Sequence, residues 1–301
     1  MLLASGFDAP SRLQRLQGEL WQQRGIQVCM KREDERDEHL GGNKWCKLLG
    51  HLEQARADGV QHLLSVGGLW SNHLHALAYA GQRYGFKTTG IVRGSAEQMT
   101  PALRDAQSAG MQLRFAVREE YRRRHDAAWQ AELCAGAGSA RFIPEGGAGV
   151  QALPGLRRLA HEIAGQTEGA VLLAVPVGSG TTLAGLRHAL PSRIELLGFQ
   201  AFADAGVAER IAALAGSDAG WSLQATAAMR QHASLPPVLA DFMQTFSREE
   251  NIELDSVYTV RMMAALAGMI AAGRVPDACR VICLHSGGLQ GRRGHFPALA
   301  A

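Results

Sequence analysis

No stretch of this sequence can cross a bilayer: its longest apolar run, Ala170 to Val177, falls far short of the roughly 20 residues a spanning helix needs. Gly6, Asp8, Pro10 and Arg12 interrupt the first twenty residues, leaving no apolar core for a secretory signal. Charge of one sign is also lacking. The 31 basic and 28 acidic side chains give a formal charge of +3, too small and too evenly spread for a nucleic-acid partner. The densest basic stretch, Arg122-Arg123-Arg124, sits between Glu119-Glu120 and His125-Asp126 and reads as a solvated helix face. The cysteines (Cys29, Cys46, Cys134, Cys279, Cys283) are odd in number and scattered, so they make no disulfide frame. They read as reduced thiols of a cytoplasmic protein. No internal repeat, low-complexity tract or collagen-like period is present. The expectation is a soluble, cytoplasmic protein with neither membrane nor nucleic acid as partner.

Glycine is plentiful, at 35 of 301 residues, and without a period it belongs in turns and at close backbone approaches. Short apolar runs alternate with amphipathic stretches, the pattern of a parallel α/β sheet. Strands are expected at Ile26–Lys31, His62–Val66, Lys87–Val92, Gln112–Ala116, Val171–Val177, Ile194–Gln200 and Arg280–Leu284. Helices are expected at Lys47–Asp58, His73–Tyr84, Thr100–Ala109, Glu119–Ala135, Gly180–Ala189, Pro237–Glu249 and Val257–Ala272. Gly59, Gly85, Gly110 and Gly273 follow helices, where a left-handed cap suits them. The glycine-rich segment Gly136 to Gly149 is the best candidate for a domain crossing. Ala201 to Ser234 has weak periodicity and takes no assignment.

Four polar clusters fall at the C-terminal ends of expected strands or at helix starts, where open α/β sheets place ligands. In Gly41-Gly42-Asn43-Lys44-Trp45-Cys46-Lys47, a lysine opens a helix. The positive helix end and any burial disfavour its protonated form and favour an amine nucleophile; a surface lysine after a turn is the alternative. In Val66-Gly67-Gly68-Leu69-Trp70-Ser71-Asn72-His73, Ser71 and Asn72 suit an N-cap, whose free amides can also bind a carboxylate. His73 and His75 face apart on a helix, so no metal is expected.

Gly178, Ser179, Gly180, Thr181 and Thr182 follow the most apolar strand. Small hydroxyl residues leading into a helix can cradle a phosphate, or simply form a tight turn. Leu183 stands where a dinucleotide fingerprint needs its third glycine, and no Lys-Ser/Thr pair makes a nucleotide P-loop. The fourth cluster, Leu284-His285-Ser286-Gly287-Gly288, could offer the Ser286 hydroxyl to a ligand or only close a strand. No Gly-x-Ser-x-Gly elbow exists, which excludes an α/β-hydrolase.

Taken together, these segments resemble the family of D-cysteine desulfhydrase and 1-aminocyclopropane-1-carboxylate (ACC) deaminase, within the tryptophan synthase β-like, fold type II pyridoxal-phosphate enzymes. The resemblance runs from about Val28 to Gly288. Lys31-Arg32-Glu33-Asp34 and Gly41 through Lys47 are similar to the family's lysine region, and Gly67 through His73 to its substrate loop. Pro144-Glu145-Gly146-Gly147 and Asp255-Ser256-Val257-Tyr258-Thr259 are similar to further landmarks.

The resemblance implies two open, twisted parallel-sheet α/β domains with the cofactor in the cleft between them. Residues 1–49 and 146–301 would form the large domain and 50–145 the small one, with a homodimer expected from the family. Lys44 would bind pyridoxal 5′-phosphate covalently and later move the substrate's α-proton. Asn72 would hydrogen-bond the cofactor's 3′-oxygen, while Ser71 and His73 would meet the substrate carboxylate or reacting carbon. Gly178 to Thr182 would hold the phosphate, Tyr258 would lie against the pyridine ring, and Ser286 would face its nitrogen.

A neutral serine cannot sustain a pyridinium as a carboxylate would. Charge then stays nearer the α-carbon, which favours loss of a β-leaving group over transamination. The implied activity is β-elimination from a small amino acid, with D-cysteine giving pyruvate, sulfide and ammonia as the first candidate. ACC deamination to 2-oxobutanoate is the alternative within the fold, and a non-catalytic, Rossmann-like phospho-ligand module is the alternative outside it. The chain departs from the family's Asp-Pro-Val-Tyr-x-Gly-Lys at Ser256, Val260 and Arg261. It also carries His232 where the family has a second tyrosine, and His73 where the deaminase has glutamine. These departures favour the desulfhydrase-like branch.

Overall fold

The computed structural model describes residues 9–226 and 235–296; His232 lies outside them. The strands are β1 (Leu13–Arg15), β2 (Gln27–Arg32), β3 (His62–Gly68), β4 (Lys87–Arg93) and β5 (Met111–Ala116). They continue with β6 (Ala140–Ile143), β7 (Val171–Val177), β8 (Ile194–Gln200), β9 (Trp221–Ala225) and β10 (Arg280–His285). The chain divides into two units, each around its own sheet, as the α/β pattern predicts.

The first unit takes in 37–155 and the stretch from Gln290 onward. Its sheet runs β5-β4-β3-β6, all parallel. Alternation along β3 puts Leu63 in one core and Leu64 and Val66 in another. Leu63 packs with the helices α1 (Asn43–Ala57) and α2 (Asn72–Tyr84) through Leu48, Leu52, Leu74 and Leu77. Leu64 and Val66 pack with Tyr121 and Trp129.

The second unit takes in 9–36 and 156–289. Its sheet runs β1-β2-β10-β7-β8-β9, parallel except where β1 meets β2. The apolar run of β7 is explained by its place inside this sheet, buried along nearly its whole length.

Several expectations need correction. The unit boundaries fall at 36/37 and 155/156 instead of at 50 and 145. The cause is the packing of α1: Leu48, Leu49 and Leu52 share a core with Leu63 of β3 and with Leu74 and Leu77 of α2, and the helix passes close to the 151–155 backbone at Gly50. Those contacts tie the lysine helix to the four-stranded unit. Gly136 to Gly149 is not a crossing, because it contains β6. The expected helix Glu119–Ala135 is two, Arg118–Arg122 and Ala127–Ala135, because Asp126 leaves helical geometry to accept from the Ala128 and Trp129 amides. The helices Leu153–Gly165 and Val207–Ala215 were not anticipated.

Candidate active site

In the first unit, Gly42 has φ +90°, a conformation that favours glycine, and delivers the chain into α1. Lys44 is the second residue of that helix. It is half-buried, and its Nζ donates to Asn43 Oδ1 at 3.0 Å. One turn on, Lys47 is only 3% exposed, and burial, with the charge of Lys44 beside it, pushes its ammonium well below the usual lysine range. The turn Glu145–Gly147 lies against this side chain: Cβ atoms on Gly146 and Gly147 would stand 3.7 Å from Lys47 Nζ and 3.3 Å from its Cβ. Glu145 anchors that turn by accepting from Tyr121 Oη at 2.6 Å and Arg124 Nε at 2.8 Å. Arg124 therefore has a structural partner, while Arg122 and Arg123 are exposed, as a solvated face requires.

Ser71 caps α2, its Oγ accepting from the Leu74 amide at 3.2 Å. Gly67 admits the hydroxyl, since a Cβ there would lie 2.4 Å from it. His73 is buried. The Ser65 hydroxyl donates its one proton to the Ile143 carbonyl at 2.7 Å, so its oxygen accepts from His73 Nε2 at 2.8 Å. The ring is then neutral with the proton on Nε2. Burial, aided by Lys47 and Lys44, holds its pKa well below the usual histidine value. Nδ1 is a buried acceptor with no hydrogen-bond partner. His51, on α1, is pushed down to about 4 by burial, opposed by a backbone hydrogen bond at Gly147. Basic groups thus crowd the lysine helix. Asn72 Oδ1 accepts from Gln290 Nε2 at 2.9 Å, which leaves the amide's N–H donors for another partner.

In the second unit, β7 and β10 are neighbours, so the loop Gly178–Thr182 and Ser286 emerge from the same end of one sheet. Gly180, at φ +85°, precedes the helix Thr181–Ala189, whose first turn has no side-chain cap. Ser179 Oγ and Thr181 Oγ1 are 3.1 Å apart. Uncapped amides flanked by hydroxyls suit a phosphate. Tyr258 lies on the loop's backbone, since a Cβ on Gly178 would be 3.0 Å from its ring, and its other side meets Phe202 edge-on at 5.7 Å. Asp255 fixes this tyrosine by accepting from the amides of Val257, Tyr258 and Thr259 at 3.0, 2.7 and 2.7 Å. Arg261 Nη1 adds a hydrogen bond to the Val257 carbonyl at 2.7 Å.

Ser286 is 7% exposed. His285 before it is fully buried; its Nε2 donates to the Glu253 carbonyl at 2.7 Å and its Nδ1 accepts from the Gly287 amide at 3.2 Å. The carboxylates nearby are committed elsewhere, Asp255 to the three amides and Asp34 to Arg32.

The structure thus groups Lys44, Ser71, Asn72 and His73 in one unit and Gly178 to Thr182, Tyr258 and Ser286 in the other. Sequence reading overlooked Lys47 and Gln290. The i, i+3 spacing of Lys44 and Lys47 was a readable signal for the first; nothing local marks the second. Among the described residues no helix is long and apolar enough to cross a membrane, and no three His, Cys, Asp or Glu side chains are grouped to hold a metal.

The family model described as pyridoxal-phosphate dependent enzyme matches residues 5–287 of the chain. A protein of Pyrococcus horikoshii named "Putative 1-aminocyclopropane-1-carboxylate deaminase" is 26% identical over 282 residues, 89% of this chain and 86% of that protein. The crystal structure of an ACC deaminase homologue superposes with a TM-score of 0.83 at 24% identity, covering 98% of this chain and 95% of the other. Processed threonine deaminase isoform 2 from Solanum lycopersicum gives 0.69 at 16% identity, covering 97% and 83%. At these identities the solved structures speak for the fold.

Proposed function

The chain belongs to the pyridoxal-phosphate-dependent enzymes and has their type II fold, and from that premise we propose a lyase that β-eliminates from a small amino acid, with D-cysteine the first substrate to try. The residues fit the cofactor. The uncapped amides and hydroxyls of Gly178 to Thr182 would hold its phosphate, Tyr258 would flank its ring, and Ser286 would meet the ring nitrogen. Lys44 would carry it, and Asn72 would donate an amide hydrogen to its 3′-oxygen. When bound, the cofactor supplies an electron sink for charge at the substrate's α-carbon.

The observation that carries the proposal is the neutral Ser286, next to a His285 whose surrounding carboxylates, Asp34, Glu35 and Asp255, are paired with arginines and helix amides. A hydroxyl does not stabilise a protonated ring nitrogen, so the chemistry favours prompt departure of a β-group. Lys44, half-buried at the start of α1, would take the α-proton as the β-group departs. The α2 cap at Ser71 would orient the substrate carboxylate at first-turn amides. His73, tied to Ser65 through Nε2, would meet the substrate carboxylate or reacting carbon alongside Ser71.

ACC deamination is the second reading, favoured by the name of the Pyrococcus relative. The test is the visible spectrum of purified wild type and Lys44→Ala, followed by product analysis with each substrate. A cofactor band present only in wild type, with pyruvate and sulfide released from D-cysteine, is the expected result. Release of 2-oxobutanoate from ACC instead would transfer the assignment to the deaminase. A protein that takes up no pyridoxal phosphate would return it to a non-catalytic phospho-ligand module. A homodimer belongs to the same reading, and the molar mass in solution checks it.

A further inference from the structure

Asn72 is held by a part of the chain far from it in sequence. The turn Leu289–Gly294 contributes three contacts to the first unit. Gln290 Nε2 donates to Asn72 Oδ1 at 2.9 Å. Arg293 forms an ion pair with Asp105 on the helix Pro101–Ser108, and its Nε donates to the Gln290 carbonyl at 3.2 Å. Gly294 lies under Trp70, where a Cβ would stand 2.7 Å from the indole. Residues 70, 72 and 105 are thus gripped by 294, 290 and 293.

A primary amide has an acceptor end and a donor end. With a donor from Gln290 on Oδ1, the donor end of Asn72 is the one left to other partners. The backbone of Gln290 is itself pinned through Arg293, so this polarity does not depend on a freely turning side chain. We propose that Gln290 is a positioning residue that sets the polarity of the Asn72 amide, and through it the hydrogen bond to the cofactor's 3′-oxygen. This rests on the reading that Asn72 faces that oxygen. Gln290 would act through Asn72.

Gln290→Glu tests it with nearly unchanged shape. A carboxylate accepts only, so Asn72 must turn its nitrogen toward residue 290 and present its oxygen to the cofactor. Removing a charge-assisted hydrogen bond corresponds to on the order of 10–100-fold in affinity. Pyridoxal phosphate should therefore dissociate at least about tenfold more readily from the variant, with a displaced absorption band and an altered pH titration of that band. Gln290→Met keeps the length without the donor and should fall between. In an Asn72→Ala background, Gln290→Glu should change neither quantity. A Gln290→Glu holoenzyme matching wild type in affinity and band, or one showing the same loss whether or not Asn72 is present, would overturn the brace and leave the cofactor assignment standing. A wild type with no cofactor band would overturn both.

Discussion

Gly155→Ala should damage the enzyme although it adds one methyl group to a helix. Gly155 lies in the first turn of the helix Leu153–Gly165, and a Cβ there would be 1.9 Å from the Cys46 carbonyl oxygen and 2.8 Å from its carbon. Ordinary contact begins near 3.4 Å, so the two backbones must part by about 1.5 Å, since neither Cys46 atom belongs to a side chain that can swing aside. Alanine would gain about 1 kcal/mol in helix propensity. Overpacking a closed contact costs roughly 1–3 kcal/mol, occasionally more. With only backbone in the way the upper end of that range applies, so the expected net loss is about 2 kcal/mol, read from the urea midpoint at unchanged slope.

The functional effect should be larger. Cys46 is two residues from Lys44 in the first turn of α1, and misplacing a reacting group by about 1 Å can cost on the order of 100-fold. Turnover should fall on the order of 10–100-fold while pyridoxal phosphate still binds. Gly165→Ala at the other end of the same helix is the control. Nothing lies within 4 Å of a Cβ there, so it should be neutral or slightly stabilising. Equal midpoints and equal turnover in the two variants would refute the reasoning.

Lys47 makes the cofactor-free protein's stability depend on pH. Its folded-state pKa lies well below 10.5, so the unfolded chain binds more protons between the two values, and stability should rise with pH through that window. Lys47→Met should flatten that rise and stabilise the cofactor-free protein at pH 7; urea melts across pH 7–10 showing parallel curves would contradict this. His285→Ala removes one hydrogen bond from the Glu253 carbonyl and one from the Gly287 amide beside a fully buried side chain. It should cost about 3 kcal/mol and weaken the Ser286 turn, and a loss below about 1 kcal/mol in the same melt would argue against it.

The strands missed by hydropathy explain what a sequence can hide. β1, β6 and β9 are all sheet edges. Their burial is partial, with no core-facing run, so the apolar signal that revealed β7 and β8 is absent. The fourth edge, β5, was visible because Met111 and Ala116 bracket an alternating pattern. The Lys44, Asn72 and Gly178–Thr182 segments were legible because their chemistry is local: a glycine turn, a cap, a loop before a helix. Lys47 was less so, because its character comes from burial beneath Glu145–Gly147. The unit boundary was misplaced because α1 is held through Leu48, Leu49 and Leu52 against Leu63, Leu74 and Leu77, and no short window of sequence contains both sets of partners. The brace from Gln290 shares that obstacle.

That brace also has a schedule. Asn72 and Gln290 are separated by 218 residues, which a ribosome adding about 5–20 residues per second spans in roughly 10–40 s. From residue 143 onward the nascent chain contains the whole of β3 to β6 and the lysine helix, yet Gln290 is not there to orient the amide of Asn72. A chain stalled before residue 290 would hold all four strands of the first sheet and the lysine helix and still lack the donor that orients the Asn72 amide.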